Sequence, residues 1–385
     1  MIRFIKPELP PPERWLAYLQ PAYQSHWFSN FGPVHELFAQ RLSERFGDGR
    51  RVAVPVANAT AGLEAVLRAL EVRGRVVVPS FTFAATAQAV LAAGATPLFC
   101  DVDPVTWELC PTALEELLDA QCASAVVTVR AFGLCRDLAP LESVCARHGV
   151  PLIVDSAAAL GGTGPGVPVG HAGVAEVFSL HATKVFAIGE GGVVLCPARL
   201  AAAVRRAINF GFQDGDVVAC GVNGKLSEFA AAIGLAALDE LQRHIAARRA
   251  TVARYLRHLA PWLERGIIAA PHAPGEPPWQ TLPLLLAPDA DAEALRQRCV
   301  RAGLELRRYY HPPLHRTRLF RRYGLGRTLP ITDRLCASMV CMPLHASMKP
   351  SLIDAASALF SQALTDTFQA REPIHEPART SARLA

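Results

Sequence analysis

Between residues 51 and 196 the chain alternates two hydrophobic patterns. Short aliphatic and β-branched runs at 52–56, 76–78, 96–100, 125–129, 152–154, 174–180 and 193–196 read as strands buried between two layers. Between several of them lie Ala/Leu-rich amphipathic segments, at 61–70, 84–93 and 138–148, that read as helices. Such alternation predicts an α/β fold in which a mainly parallel seven-stranded sheet is flanked by helices. A long helix is expected at about 227–256, then a proline-rich connection at 271–278 and a mixed stretch at 279–364 that suits a smaller C-terminal α+β domain. The expected division is an N-terminal segment at 1–24, a large domain at 25–250, a small domain at 251–368 and a mobile tail at 369–385.

Composition narrows the picture. At 385 residues, with 51% of them hydrophobic, the chain can bury one large core and a smaller second one. No apolar run approaches the roughly 20 residues that cross a bilayer. The opening stretch, with Arg3, Lys6, Glu8 and the prolines at 10–12, lacks the apolar centre of a signal peptide, so a cytoplasmic protein without a membrane partner is expected. The net charge of +5 is dispersed, not gathered into basic runs with interleaved aromatics, which argues against nucleic-acid binding. Ten cysteines occur without CxxC spacing, so neither a metal site nor a disulfide framework is expected. Lysine is scarce: Lys6, Lys184, Lys225 and Lys349 are the whole set, and each asks for a reason.

In an open α/β sheet, ligands bind beyond the carboxyl ends of the strands, where helix N-termini offer unpaired N–H groups. After the first strand, Asn58-Ala59-Thr60-Ala61-Gly62-Leu63 could cradle a phosphate on Thr60 and Ala61, or could simply cap a helix. After the second, Pro79-Ser80-Phe81-Thr82-Phe83-Ala84 puts an aromatic at the rim; Phe83 is either a stacking ring for a flat cofactor or a core residue. Asp155 ends an apolar run, where a carboxylate needs a partner; it either caps a turn or holds a pyridine nitrogen protonated. Lys184 follows Phe178-Ser179-Leu180-His181-Ala182-Thr183 and precedes a glycine turn, Gly189-Glu190-Gly191-Gly192. Half-burial there would lower its pKa and free the amine as a nucleophile.

Taken in order, these stretches resemble the sugar-aminotransferase family of fold-type I pyridoxal-phosphate (PLP) enzymes, the DegT/StrS family. The likeness runs from about Trp27 to Leu344 and includes Phe28-Ser29-Asn30-Phe31-Gly32-Pro33, Cys100-Asp101-Val102-Asp103-Pro104, Ile153-Val154-Asp155-Ser156-Ala157-Ala158 and Gly221-Val222-Asn223-Gly224-Lys225-Leu226-Ser227-Glu228. The resemblance implies that pyridoxal 5'-phosphate is held at its phosphate by Thr60, Ala61 and Ser179, with Asn223 reaching over from a second subunit of a homodimer. Asp155 would pair with the ring nitrogen, Phe83 would lie on the ring, and Lys184 would hold the aldehyde as a Schiff base. Departures fall around the substrate: Asn58-Ala59 for a usual Ser-Gly, Ala158 for Gln or His, Arg130 for His, Phe132 for Tyr and Lys225 for Arg. The variants at Asn58 and Lys225 resemble a branch that acts at C4 of nucleotide-linked keto-sugars.

The implied reaction is transfer of an amino group from glutamate to a nucleotide-linked keto-deoxysugar, with Lys184 as general base and Asp155 as its electrostatic support. Ser29, Asn30, Lys225, Arg308, Tyr310 and His315 are the candidate substrate contacts, though an Arg/Tyr cluster is as often a packing feature. Two rivals differ in class. A PLP-dependent sugar dehydrase of the related kind would carry His where Lys184 stands, and a non-catalytic regulatory protein of the same fold would have no use for an intact lysine and carboxylate.

Overall fold

Seven buried strands build the main sheet of the computed structural model, which describes residues 1–165, 168–288 and 290–369. Helices α1 (Pro12–Ser25) and α2 (Pro33–Phe46) lead into β1 (Arg51–Val56), α3 (Ala59–Ala69), β2 (Arg75–Pro79), α4 (Ala84–Ala92) and β3 (Thr96–Cys100). There follow α5 (Pro111–Ala120), β4 (Ala125–Val129), α6 (Ala139–Arg147), β5 (Leu152–Asp155), β6 (Ala175–Ser179), β7 (Gly192–Pro197) and α7 (Ala198–Ala207). A short hairpin, β8 (Phe212–Gln213) and β9 (Asp216–Val217), precedes the 37-residue helix α8 (Glu228–Glu264). The remainder is β10 (Ile268–Ala269), β11 (Leu282–Leu286), α9 (Ala292–Arg301), α10 (Pro330–Ser338), β12 (Met339–Met342) and α11 (Pro350–Gln369).

The main sheet has the order β1-β7-β6-β5-β4-β2-β3. Pairing is parallel from β6 through β3, while β7 runs against both its neighbours. The mainly parallel seven-stranded sheet expected from the hydrophobic runs is thus the one observed. Val, Ile and Leu fill the strands because helices cover both faces. On one face α3, α4 and α7 pack through Leu63, Val66, Val90 and Val204 onto Val56, Val78, Ile153 and Val177. On the other, α5 and α6 cover Val126 and Val154, and α2 and α8 cover Phe178 and Leu195. Because β7 is reversed, its first residue, Gly192, sits at the same edge as the last residues of β1 and β6, opposite Val56 and Ser179.

The smaller antiparallel sheet, β10-β11-β12, pairs Leu282 with Met342 and is covered by α9 and α11. Helix α8 runs eight residues beyond the expected 256 and serves both cores: Leu235, Leu238 and Leu241 join the main one, and Val252, Tyr255 and Leu259 the smaller. The opening residues do not stand apart as one segment. Ile2 bridges to Leu304, and Phe4 donates its N–H to Glu305 Oε2 at 3.0 Å, so this strap packs into the smaller core, whereas α1 packs on α8. Among the described residues, no helix is long and apolar enough to cross a membrane. Helix α11 is described to Gln369; the rest of the expected tail lies outside the described residues.

Candidate active site

The carboxyl edge of the main sheet gathers the chemistry. Asp155, the last residue of β5, is buried. Its Oδ2 accepts from the Thr86 hydroxyl (2.7 Å), itself paired with Thr82, and its Oδ1 accepts from the Ala157 N–H (3.1 Å). Burial pushes the carboxyl pKa up, against the pull of those two donors and of Lys184. Behind it, the buried Glu176 accepts from Ser156 Oγ (3.1 Å) and from Arg130 (3.3 Å), whose guanidinium also reaches the Arg136 carbonyl (2.7 Å). This ion pair braces the Asp155-Ser156 turn from below. Nearby Glu108 is pushed up to about 8 by burial, opposed by Arg130 and Arg136.

One strand over, Ser179 ends β6 and accepts the His181 N–H (3.3 Å). The following loop is pinned shut by Leu180 N–H to Gly191 O (2.8 Å), Ala182 N–H to Gly189 O (2.7 Å) and Ile188 N–H to Leu180 O (2.9 Å), while Val185, Phe186 and Ile188 sink into the core. Such anchoring leaves Lys184 half-buried and aimed into a cavity, where its Nζ donates to Gln280 Oε1 at 3.0 Å. Desolvation lowers its pKa to about 8, and Asp155 opposes that shift. At the next position along the edge, Asn58 caps α3 by accepting the Ala61 N–H (2.9 Å). A Cβ on Gly192 would stand 2.7 Å from Ala59 N and 2.8 Å from Asn58 C, so only glycine lets the N-terminus of α3 come this close to Ser179. The arrangement supplies a depressed-pKa amine and a buried acid across one rim, with a helix N-terminus beside them.

A family model, the DegT/DnrJ/EryC1/StrS aminotransferase family, matches residues 12–358. The chain belongs to that family. It is 32% identical over 380 residues to Protein Rv3402c of Mycobacterium tuberculosis (strain ATCC 25618 / H37Rv), covering 94% of this chain and 90% of that protein. To the dTDP-4-amino-4,6-dideoxy-D-glucose transaminase of Shigella dysenteriae it is 27% identical, over 91% of this chain and 95% of the relative. The crystal structure of DesI in the presence of its TDP-sugar product superposes with a TM-score of 0.87 at 33% identity, over 96% of this chain and 94% of that one. The fold is that of the fold-type I aminotransferases.

In this member of the DegT/DnrJ/EryC1/StrS family the other expected contacts divide into two groups. Thr60 and Phe83 lie on the same rim, Phe83 as a residue 64% exposed. Tyr310 stacks on Phe132 (5.3 Å, 19°) and meets Phe81 edge-on at 5.2 Å; burial, reinforced by Asp155, pushes its phenol pKa up. Ser29 and Asn30 are exposed on the bend before α2. Buried Glu228 ties that bend to the segment at 221–227, accepting from Val34 N–H (2.7 Å) and His35 N–H (3.1 Å), while its own N–H donates to Phe28 O (3.3 Å). On that segment Lys225 donates to Asn223 Oδ1 (2.7 Å) and lies 4.3 Å from the Phe210 ring centroid.

Arg308 and His315 stand differently. The Arg308 guanidinium donates to the carbonyls of Cys336 (3.2 Å) and Ala337 (2.8 Å), at the end of α10. His315 is buried between Ser80 Oγ (2.7 Å) and Asp333 (3.4 Å), so both ring nitrogens are used within the chain. For these two the packing alternative is what the contacts show. Gln280, Thr86 and Glu176 were not singled out in the sequence. Thr82 and Thr86, four residues apart at the start of a helix, carried a usable signal; Gln280, 96 residues beyond Lys184, carried none.

Proposed function

We propose that this chain is a PLP-dependent aminotransferase that moves an amino group from glutamate to C4 of a nucleotide-linked keto-deoxysugar, working as a homodimer with shared sites. The observation that carries the reading is the pairing of a desolvated Lys184, held near pKa 8, with buried Asp155 at one sheet edge. The residues fit the cofactor. Asp155 is a buried acid with two neutral donors, so a pyridinium N–H would give its ionised form the counter-charge that burial otherwise denies. The exposed face of Phe83 would take the ring, and Thr60, Ala61 and Ser179 the phosphate, with Asn58 yielding or sharing the Ala61 N–H. Asn223 of a second copy would complete that cradle; its exposure, beside exposed Phe210, Phe212 and Val217, supports a partner there.

When bound, PLP supplies an aldehyde that carries the amino group and a ring that takes up the electron pair released at the reacting carbon. Lys184 would hold that aldehyde through Nζ and, with its amine free, would serve as the base for the proton on the amino-bearing carbon of the donor. With a pKa near 8 roughly a tenth of that amine is neutral at pH 7, a far larger share than the ordinary 10.5 would leave. Asp155 would keep a proton at the ring nitrogen. Ser29, Asn30, Lys225 and Tyr310 are the candidate acceptor contacts, and Lys225 is the cation among them suited to a diphosphate. The transaminase named for the Shigella relative and the TDP-sugar in the DesI structure support a nucleotide sugar as acceptor.

The test is a half-reaction. Protein saturated with PLP and glutamate is expected to show the absorbance shift of the aminated cofactor, and one member of a panel of nucleotide keto-sugars and inososes is expected to reverse it. Lys184→Ala should bind PLP yet cycle it at a rate on the order of 1000-fold or more below wild type. Normal cycling by that variant would overturn the assignment.

A further inference from the structure

Lys184 does not end in open space. Its Nζ donates at 3.0 Å to Gln280 Oε1, across the cavity at the entry to β11. Gln280 is itself held from behind: Arg248 of α8 donates to the carbonyls of Trp279 (3.2 Å), Gln280 (3.3 Å) and Leu344 (3.1 Å), and the Thr281 hydroxyl donates to Met342 O (2.6 Å). We propose that Gln280 is a positioning residue for the reactive amine, accepting one N–H of Lys184 whenever that amine is free and so fixing its lone-pair direction and its protonation. The proposal deepens the aminotransferase reading and rests on it.

A lysine side chain has four rotatable bonds, so an unanchored amine would sample many directions between turnovers. One hydrogen bond to a rigidly mounted acceptor removes most of that freedom and turns the lone pair away from Gln280. The acceptor's chemistry matters as much as its place. Facing Lys184 are Asp155 from β5, Lys6 and Glu8 from the N-terminal strap, His244 and Arg248 from α8, and Tyr309 beside the small sheet. Amid these charges Gln280 presents a dipole that cannot titrate. A carboxylate in its position would favour the ammonium by about 1–3 pKa units and disable the base; an aliphatic side chain would leave the ammonium unpaired and lower the pKa further.

The experiment uses the cofactor-free full-length protein, so that its readout does not depend on turnover. Reductive methylation is followed against pH, with the label at Lys184 quantified by mass spectrometry and Lys349 as the exposed control. The wild-type midpoint is expected near 8. Gln280→Leu should lower it by about half a unit or more, and Gln280→Glu should raise it by about one unit or more. In PLP-loaded protein, Gln280→Leu should lose roughly tenfold or more in kcat with donor KM within about twofold, and Gln280→Glu should move the pH profile upward with its midpoint. Equal midpoints in all three proteins, or shifts in the same direction for both variants, would overturn the proposal; the second result would mark mere structural disturbance. Midpoints that move apart as expected in a protein that transfers no amino group support the Lys184–Gln280 contact while counting against the aminotransferase reading.

Discussion

Burial of Asp155 and of Lys184 costs stability with opposite dependence on pH. The folded pKa of Asp155 is raised above its unfolded value near 4, so its stabilising contribution is complete below that value and is lost as pH rises through the folded pKa. Lys184 is lowered from 10.5 to about 8, so its contribution is complete above 10.5 and is lost as pH falls through 8. At neutral pH both groups therefore weaken the cofactor-free fold. Asp155→Asn is expected to raise the melting temperature of cofactor-free protein at pH 7 to 8 while lowering kcat on the order of 100-fold. Calorimetry across pH 4 to 8 checks the first half: the gap between variant and wild type should widen with pH, and a constant or narrowing gap would contradict the burial argument.

At the scale of elements, the approach of α3 to Ser179 rests on what Gly192 lacks. In Gly192→Ala the new methyl meets backbone atoms of Asn58 and Ala59 below 3.0 Å, and neither can rotate away. The N-terminus of α3 must shift, and PLP affinity is expected to fall about tenfold, ~1.4 kcal/mol, measured by cofactor titration of dialysed protein. All seven main strands were legible in the sequence because strands covered on both faces must be apolar throughout, and the loops after them had to carry the chemistry. Asp155 stood out as a carboxylate closing an apolar run, and Lys184 as one of four lysines, placed between a strand and a glycine turn. What stayed hidden depended on long-range pairing. That Arg308 serves the end of α10, that His315 bonds Ser80 from 235 residues away, and that Glu228 secures α2 follow from partners that no local pattern encodes. The reversed direction of β7 was equally invisible, since an apolar run has no polarity of its own.

The whole molecule turns on α8, whose N-terminal half packs under the main sheet and whose C-terminal half packs under the small one. Arg248 lies between, buried, with three carbonyls of the small-sheet region on one guanidinium nitrogen. Burial lowers its pKa to about 10, so it stays cationic at neutral pH. Arg248→Met would leave those carbonyls unpaired, and a loss of about 2 to 3 kcal/mol in unfolding free energy is expected from urea denaturation. Because the same arginine sets the Gln280 backbone, the Lys184 labelling midpoint should move as well; an unchanged midpoint would mean the two halves are joined by other contacts.

The strap at Ile2 and Phe4 carries a consequence for synthesis. Phe4 meets Glu305 across 301 positions, so a ribosome must pass β11 and α9 before that strap has anywhere to dock. Until then its apolar side chains wait in water. Phe4, Ile5 and Lys6 also line the Lys184 cavity, so this part of the pocket wall is translated some 301 residues before the partner that sets it in place.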